Sequence, residues 1–335
     1  MRRSSFLWKS AQFGAGVSVV LLLSWGITYL SDRRIEQRAP AGWLLLRSLG
    51  NLQSVVLQQD TVWAGGVEGL FKLDRRSGAL LNPGPGAANL GFVHDLLADR
   101  QGILWIARDA GVTKYDGSTW ATLDEASGVS PGPVFALLED REGTIWLGRQ
   151  DGVLQIRPHS IRSLGKKDGI DMGAVDVLYQ DRLDRIWIGS SDPRQGGLAV
   201  TESAGFHSFS VADGLVHPSI TSVTETRGGT IWVGSGFAGA GGANRLTEHN
   251  RFVGMTRKDG LAGDKVRLIY EDRLNRLWFC SEYDGVALFV GGVHQRTLTT
   301  TDGLAGQEVK KIVEDADGAY WLATDHGLNK IPSLK

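Results

Sequence analysis

The sequence predicts an all-β protein: a seven-bladed β-propeller preceded by one N-terminal transmembrane helix. Three observations support this fold class: a tryptophan that recurs at a regular interval, short apolar segments separated by turn residues, and one long uncharged segment near the N-terminus. The chain has 335 residues, with 45 glycines, 11 tryptophans and 9 prolines. Many glycines without a collagen-like period indicate many tight turns.

The recurring tryptophan defines an internal repeat. Successive copies lie 41 to 46 residues apart, and they are Trp63, Trp105, Trp146, Trp187, Trp232, Trp278 and Trp321. Six residues before the tryptophan, five units have an aspartate: Asp99, Asp140, Asp181, Asp272 and Asp315. Three residues before it, six units have Gly, Asn or Asp, the residues that best tolerate positive φ. The sequence therefore predicts a tight turn before each tryptophan.

Each unit has the pattern of four short strands. An apolar segment precedes the turn, the tryptophan strand follows it, a third strand begins at glycine, and a short fourth strand leads to the next unit. Regularly spaced short strands with turn signals favour a β-propeller, and residues 42–335 accommodate seven units of 42 residues. The first unit has a shorter turn, with Gln59 and Asp60 as its expected tip.

The two ends of the predicted propeller complement each other. The last unit stops at its third strand, whereas residues 43–47 resemble a fourth strand with nothing before it. We expect 43–47 to pair with 328–331 and close the ring, because pairing would satisfy two bare strand edges.

The N-terminal segment predicts a membrane anchor. Residues 11–30 contain no charged side chain, and twenty residues at about 1.5 Å each match a bilayer core of roughly 30 Å. No small-x-small cleavage site follows, which favours an uncleaved anchor over a signal peptide. The predicted organisation is an N-terminal cytoplasmic tail (1–10), a transmembrane helix (11–30), a linker (31–41) and the propeller (42–335). The short leader favours a single-pass protein of the inner (cytoplasmic) membrane with a periplasmic, extracytoplasmic propeller, although basic residues flank both sides.

The repeat resembles a known family. The stretches DRQGILWIARDAGV, DREGTIWLGRQDGV, RGGTIWVGSG and DADGAYWLATDHGL, with DGI or DGL segments between several units, are similar to the two-component regulator propeller repeat. That resemblance covers roughly residues 50–335. It implies the extracytoplasmic sensor region of a hybrid two-component sensor kinase, here without a kinase or output domain.

Composition and motifs argue against several other functions. A formal net charge of −1 gives no reason to expect nucleic acid as a partner. The repeated aspartates and tryptophans are interpreted as structural, because a catalytic site needs one constellation and not several copies. GSGFAG fits a dinucleotide-binding pattern, but no helix follows it. The seven histidines show no metal-ligand spacing. We therefore expect no enzyme activity, no cofactor and no metal.

Ligand-binding candidates are residues at which one blade departs from the others. Three residues after the tryptophan, where the loop between second and third strands begins, most blades have a small residue, but two have Arg108 and Arg149. This pair could hold a carboxylate or phosphate; local pairing with Asp109, Asp151 or Glu142 is the structural alternative. The enlarged loops of blades 4 and 5 and the corresponding loops of blades 6 and 7 add further candidates, Asp192, Arg194, Phe237, Tyr283 and His326.

A second set of residues, most of them polar, follows the first apolar residue of each inner strand. It predicts a polar, water-filled central channel and comprises Gln53, His94, Phe135, Asp176, Thr221, Arg267 and Lys310.

Together these features favour a membrane-anchored, extracytoplasmic sensor. It would bind a small ligand, such as a glycan or an anion, or a protein partner, such as a sensor kinase or another signalling subunit. Two alternatives remain open: a propeller lyase or hydrolase acting on a small molecule, and a structural scaffold of a membrane complex.

Overall fold

The structure is a computed structural model that describes residues 39–203 and 205–334. Within these residues the chain forms seven four-stranded antiparallel sheets, each of them one blade. The predicted all-β, seven-bladed propeller is confirmed. The predicted tail, transmembrane helix (11–30) and most of the linker lie outside the described residues. Among the residues described, no helix is long and apolar enough to cross a membrane.

The strands of blades 1 to 6 run in chain order from the centre of the ring to its rim. Blade 1 contains β2 (Leu52–Gln58), β3 (Thr61–Gly66), β4 (Gly69–Asp74) and β5 (Leu80–Leu81). Blade 2 contains β6 (Val93–Ala98), β7 (Leu104–Arg108), β8 (Gly111–Tyr115) and β9 (Trp120–Thr122). Blade 3 contains β10 (Val134–Glu139), β11 (Ile145–Arg149), β12 (Gly152–Arg157) and β13 (Ser160–Leu164).

The remaining blades follow the same plan. Blade 4 contains β14 (Val177–Gln180), β15 (Ile186–Ser190), β16 (Gly197–Glu202) and β17 (Gly205–Phe209). Blade 5 contains β18 (Ile220–Glu225), β19 (Ile231–Phe237), β20 (Ala240–Leu246) and β21 (Phe252–Met255). Blade 6 contains β22 (Val266–Glu271), β23 (Arg276–Ser281), β24 (Val286–Val290) and β25 (Val293–Leu298). Blade 7 contains β26 (Val309–Glu314), β27 (Tyr320–Thr324), β28 (Gly327–Ile331) and, as its outer strand, β1 (Leu44–Leu46).

The described helices are all short 3-10 turns. They are Arg47–Leu49, Pro85–Ala87, Glu125–Ser127, Lys166–Asp168, Val211–Asp213, Arg257–Asp259 and Thr300–Asp302.

The ring closes through the two ends of the propeller. β1 pairs antiparallel with β28, so that Leu44 lies opposite Lys330 and Leu46 opposite Leu328. The pairing joins the segments that the sequence predicts, over three residues and not over all of 43–47. Blade 7 is therefore completed by the N-terminal strand.

A hairpin motif explains the repeated aspartate and tryptophan. In blade 3, Asp140 Oδ1 accepts the backbone N–H groups of Glu142 at 3.0 Å and Thr144 at 2.8 Å, while Oδ2 accepts the indole N–H of Trp146 at 2.8 Å. The turn residue Gly143 has φ 83°, a conformation that glycine adopts without strain. One side chain thus satisfies the donors of the turn and of a buried ring. The same bonds recur at Asp99, Asp181, Asp272 and Asp315.

Two blades depart from the hairpin motif. In blade 1, Gln58 Oε1 accepts the indole N–H of Trp63 at 2.9 Å, and Gln59 has φ 53°, which confirms its place at the turn. In blade 5, Thr226 replaces the aspartate, and its short hydroxyl accepts the Thr230 N–H instead. Trp232 is half-buried, whereas the six other repeat tryptophans are at most 5% exposed.

Arginine connects successive hairpins. In blade 4, Arg182 Nε lies 2.6 Å from Glu225 Oε1 of blade 5, and Nη2 donates to the Thr226 and Arg227 carbonyls, each at 2.9 Å. The arginine directly after the repeated aspartate, or after Thr226, also reaches into the next blade in four other units, at Arg100, Arg141, Arg227 and Arg273. The hairpin end of the propeller is therefore held together by contacts between neighbouring blades.

The DGL segments form caps between blades. Asp213 Oδ2 accepts the Ser210 N–H at 2.9 Å at the start of a 3-10 turn, Gly214 ends the turn with φ 100°, and Leu215 is buried. The segments at Asp168, Asp259 and Asp302 repeat this arrangement. This geometry gives the recurring aspartates a structural role.

Candidate functional site

The ring has two different ends. We call the end with the hairpins between first and second strands the hairpin face. The opposite end is the loop face, which carries the loops between blades and those between second and third strands. A cavity of about 290 Å³ lies where the inner strands begin at the loop face. It is lined by the full set that the sequence predicts for the channel, Gln53, His94, Phe135, Asp176, Thr221, Arg267 and Lys310.

β-Bulges shape this cavity. The register between first and second strands shifts in six blades, next to the cavity-lining residue. A bulge turns a side chain out of the normal alternation. Consecutive residues therefore both line the cavity, as His94 and Asp95 do in blade 2 and Lys310 and Lys311 do in blade 7. Strict alternation in the sequence would place the second member of each pair on the other face, and sequence reasoning missed Asp95 and Lys311 for this reason.

Cations dominate the blade 6 and 7 side of the cavity. Arg267 Nε lies 2.8 Å from Glu308 Oε1, and Lys310 Nζ lies 3.3 Å from Glu308 Oε2. Lys310 Nζ also donates to Asn51 Oδ1 at 2.7 Å. Lys311 Nζ lies 3.4 Å from Asp95 Oδ1 of blade 2. Glu308 therefore pairs with both Arg267 and Lys310.

The other side of the cavity contains fixed acids and aromatic rings. Asp95 accepts the Ser54 hydroxyl at 2.8 Å and the Leu137 N–H at 3.1 Å. His94 Nε2 lies 2.6 Å from Asp109 Oδ1, and its ring contacts Phe135 at 5.0 Å between centroids.

Asp176 is the acid that blade 4 contributes. Burial raises the pKa of Asp176, and hydrogen bonds from the hydroxyl and backbone N–H of Ser191 offset part of that rise. Ser191 belongs to the enlarged loop of blade 4 and lines the cavity as well.

Two aromatic candidates project from the loop face. Phe237 is 45% exposed and Tyr283 is 68% exposed. Lys265 Nζ lies 5.9 Å from the centre of the Phe237 ring and 2.8 Å from Glu282 Oε1. The charge of Glu282 next to Tyr283 raises the pKa of that phenol. Blades 5 and 6 thus each contribute one exposed ring to the loop face, and Lys265 lies next to Phe237 and to the neighbour of Tyr283 in the chain, Glu282.

The two arginine candidates are engaged within the protein. Arg108 donates to the hydroxyls of Thr113 at 2.9 Å and Thr122 at 3.1 Å, and burial lowers its pKa. Arg149 donates to the carbonyls of Ser130 at 2.8 Å and Pro131 at 3.3 Å. Of the local acids considered from the sequence, Asp151 is the one near Arg149, at 3.9 Å.

The remaining loop candidates are Asp192, Arg194 and His326. Asp192 accepts the N–H groups of Gln195 at 2.8 Å and Arg194 at 2.7 Å, which lowers the pKa of Asp192. The Arg194 side chain is exposed. His326 is also exposed, with Nδ1 2.8 Å from Asp325 Oδ2. Across the described part of the chain, no group of three His, Cys, Asp or Glu side chains is placed to hold a metal ion.

Comparison with known families identifies the repeat. Residues 128–148 match the family model for the two component regulator propeller. This segment includes β10 and the first strand residues after its hairpin, with Asp140, Gly143 and Trp146. The resemblance inferred from the sequence is confirmed, and the chain carries this repeat. No curated protein sequence matches the chain.

Solved structures share the propeller fold. One is described as the extracellular domain of a hybrid two component system from B. thetaiotaomicron, with TM-score 0.74 and 20% identity, covering 88% of this chain. This chain spans only 41% of that protein. Another is a catalytically inactive virginiamycin B lyase from Staphylococcus aureus, solved with quinupristin, with TM-score 0.65 and 13% identity over 87% of this chain and 98% of the lyase. A third is YCF48 bound to D1 peptide, with TM-score 0.62 and 11% identity over 87% and 96% of the two chains. The same fold therefore serves in proteins of different kinds.

Proposed function

We propose that the chain is a membrane-anchored, extracytoplasmic sensor whose propeller binds a ligand or a partner protein on its loop face. The observation that carries this proposal is the pair of exposed aromatic side chains, Phe237 and Tyr283, on the face where the polar cavity lies. Large exposed aromatic residues beside charged groups are typical of recognition surfaces. The regulator propeller repeat and the uncharged segment 11–30 support the sensor role and the anchor.

The occupant of the loop face is either a small ligand, such as a glycan or an anion, or a signalling subunit, such as a sensor kinase. Rings of Phe237 and Tyr283 offer flat apolar area, while Lys265 and Glu282 offer charged hydrogen-bonding groups beside them. This combination suits an occupant with both apolar and polar surface.

A matched pair of double variants tests the binding face. We expect Phe237→Ser with Tyr283→Ser to weaken binding at least about tenfold, since aromatic anchors contribute a large share of interface energy. The control is Leu183→Ser with Leu274→Ser, which removes exposed apolar side chains, 67% and 56% exposed, from the hairpin face. Ligands would be found by thermal-shift screening against glycans and small anions, and dissociation constants measured by calorimetry. Equal affinity of both double variants would contradict the assignment of the aromatic pair as the binding surface.

The arginine candidates have their own test. A ligand whose affinity falls in the variant Arg108→Ala with Arg149→Ala, but not in the aromatic variant, would place its site at the arginines. Because both arginines hold neighbouring loops and hydroxyls, the variant's melting temperature must be measured alongside.

Topology is tested separately. A reporter enzyme fused after Lys335 should be active only on the extracytoplasmic side of the membrane. Cytoplasmic activity would contradict the extracytoplasmic sensor, whatever the propeller binds.

A further inference from the structure

The central cavity contains three cationic side chains on one side. Arg267 comes from blade 6, and Lys310 and Lys311 come from blade 7. Lys310 and Lys311 are consecutive, and they face the cavity together because β26 bulges at this point. The three side chains are 27%, 6% and 38% exposed. They are therefore held in the cavity wall and are less screened by bulk water than surface charges.

These cations have more N–H donors than the neighbouring acids accept. Glu308 is shared between Arg267 and Lys310. Lys311 reaches Asp95 only at 3.4 Å, and Asp95 is already fixed by Ser54 and Leu137. A guanidinium has five N–H donors in a planar fork. Among the described residues, no hydrogen bond is formed by the terminal nitrogens of Arg267, although Nε lies against Glu308.

Cations outnumber the acids on the blade 6 and 7 side of the cavity. Arg267, Lys310 and Lys311 face the carboxylates Glu308 and Asp95. The remaining acid of the lining, Asp176, lies on the blade 4 side; burial raises its pKa, while the hydrogen bonds from Ser191 and the charge of Arg267 act to lower it. On the blade 6 and 7 side, three cations therefore face two carboxylates.

We propose that the cavity is a binding site for a small organic monocarboxylate, whose carboxylate group lies between Arg267 and the lysines of blade 7. Arginine forks match carboxylate geometry and form charge-assisted hydrogen bonds. A volume of about 290 Å³ is close to the lower end of ligand pockets, roughly 300 Å³. Gln53, His94 and Thr221 supply polar groups for hydroxyls on the rest of the ligand. This site is separate from the exposed aromatic pair, and it stands whether or not that pair binds a partner.

Calorimetry on the purified full chain tests the site with defined probes: lactate, gluconate, inorganic phosphate and neutral glycerol. We expect saturable binding of a carboxylate and none of glycerol. Arg267→Gln should weaken carboxylate binding at least about tenfold, the equivalent of one charge-assisted hydrogen bond. The matched control is Arg273→Gln at the other end of β22, where Arg273 Nε lies 3.7 Å from Glu314 Oε1. Its carboxylate affinity should equal that of the wild type.

A further variant should raise the affinity of the cavity for carboxylates. Glu308→Gln removes the acid that competes for Arg267 and Lys310, so carboxylates should bind more tightly. Circular dichroism would establish that each variant is folded. If Arg267→Gln is not folded, Lys311→Gln is measured in its place. The proposal is overturned if neither lactate nor gluconate binds the wild type, if only phosphate binds, or if the cation variants bind as well as the control.

Discussion

Tyr320 of blade 7 donates its phenolic O–H to Asp272 Oδ2 of blade 6 at 3.2 Å. The same oxygen accepts the indole N–H of Trp278 at 2.9 Å and the Nε–H of Arg276 at 2.6 Å. Burial raises the pKa of Tyr320 to about 12, so its proton is available for this bond at neutral pH. The hairpin motif of blade 6 thus holds an aromatic side chain of blade 7, Tyr320.

Acid should weaken the Asp272 contacts. Burial acts to raise the pKa of Asp272, but the hydrogen bonds from Trp278 and Arg276 outweigh it, and the pKa in the fold lies below its ordinary value of 3.8. The carboxylate therefore contributes stability that is fully present above that value and is lost as pH falls through the lower folded pKa. In Asp272→Asn this contribution is absent. The difference in unfolding free energy between wild type and variant should shrink below about pH 4, as measured by urea denaturation across pH. A difference that stays constant down to pH 2 would contradict the expected linkage.

Removing the carboxylate of blade 3 should destabilise the whole ring. Asp140→Ala leaves the indole N–H of Trp146 and two turn N–H groups without their acceptor, and we expect a loss of about 3 kcal/mol. The control is Glu142→Ala in the same turn, an exposed side chain that should change stability by less than about 0.5 kcal/mol. Urea denaturation of both variants measures the difference, and equal midpoints would show that the motif contributes nothing.

Blade 5 offers the reverse experiment. Thr226→Asp should supply the carboxylate that accepts the indole N–H in five other blades, and it should raise the free energy of unfolding by about 1 kcal/mol. Burial of Trp232 should increase with it, seen as a blue shift of fluorescence relative to the wild type. A decrease in stability would mean that the blade 5 hairpin cannot adopt the geometry of the other blades.

Closure of the ring makes the N-terminal strand essential. Deleting residues 42–48 exposes the edge of β28 and removes Leu45 from the outer side of blade 7, so the propeller should melt well below the parent temperature. Differential scanning calorimetry would record the shift. A deletion variant that melts with the parent would show that blade 7 is stable with three strands.

The blades could be predicted from the sequence because each one depends on residues that are close together in the chain. Trp146, Gly143 and Asp140 recur as a unit, since one turn geometry and one buried ring need all three. The role of the connecting arginines was not predicted from the sequence. Arg182 pairs with Glu225 of the next blade, and no local rule relates the two. Arg108 illustrates another limit: it donates to the hydroxyls of Thr113 and Thr122, a contact that the repeat pattern did not predict.

The hairpin motif and the cavity-lining residues lie at opposite ends of the inner strands. Asp140 and its counterparts lie at the hairpin end of the inner strands, whereas the residues that face the cavity lie at the other end, where six blades have a β-bulge. Substitutions at Lys311 or His94 therefore alter the chemistry of the interior without disturbing the pairing of Asp140 with Trp146. Duplicated copies of this propeller could diverge in what they recognise while retaining the same scaffold.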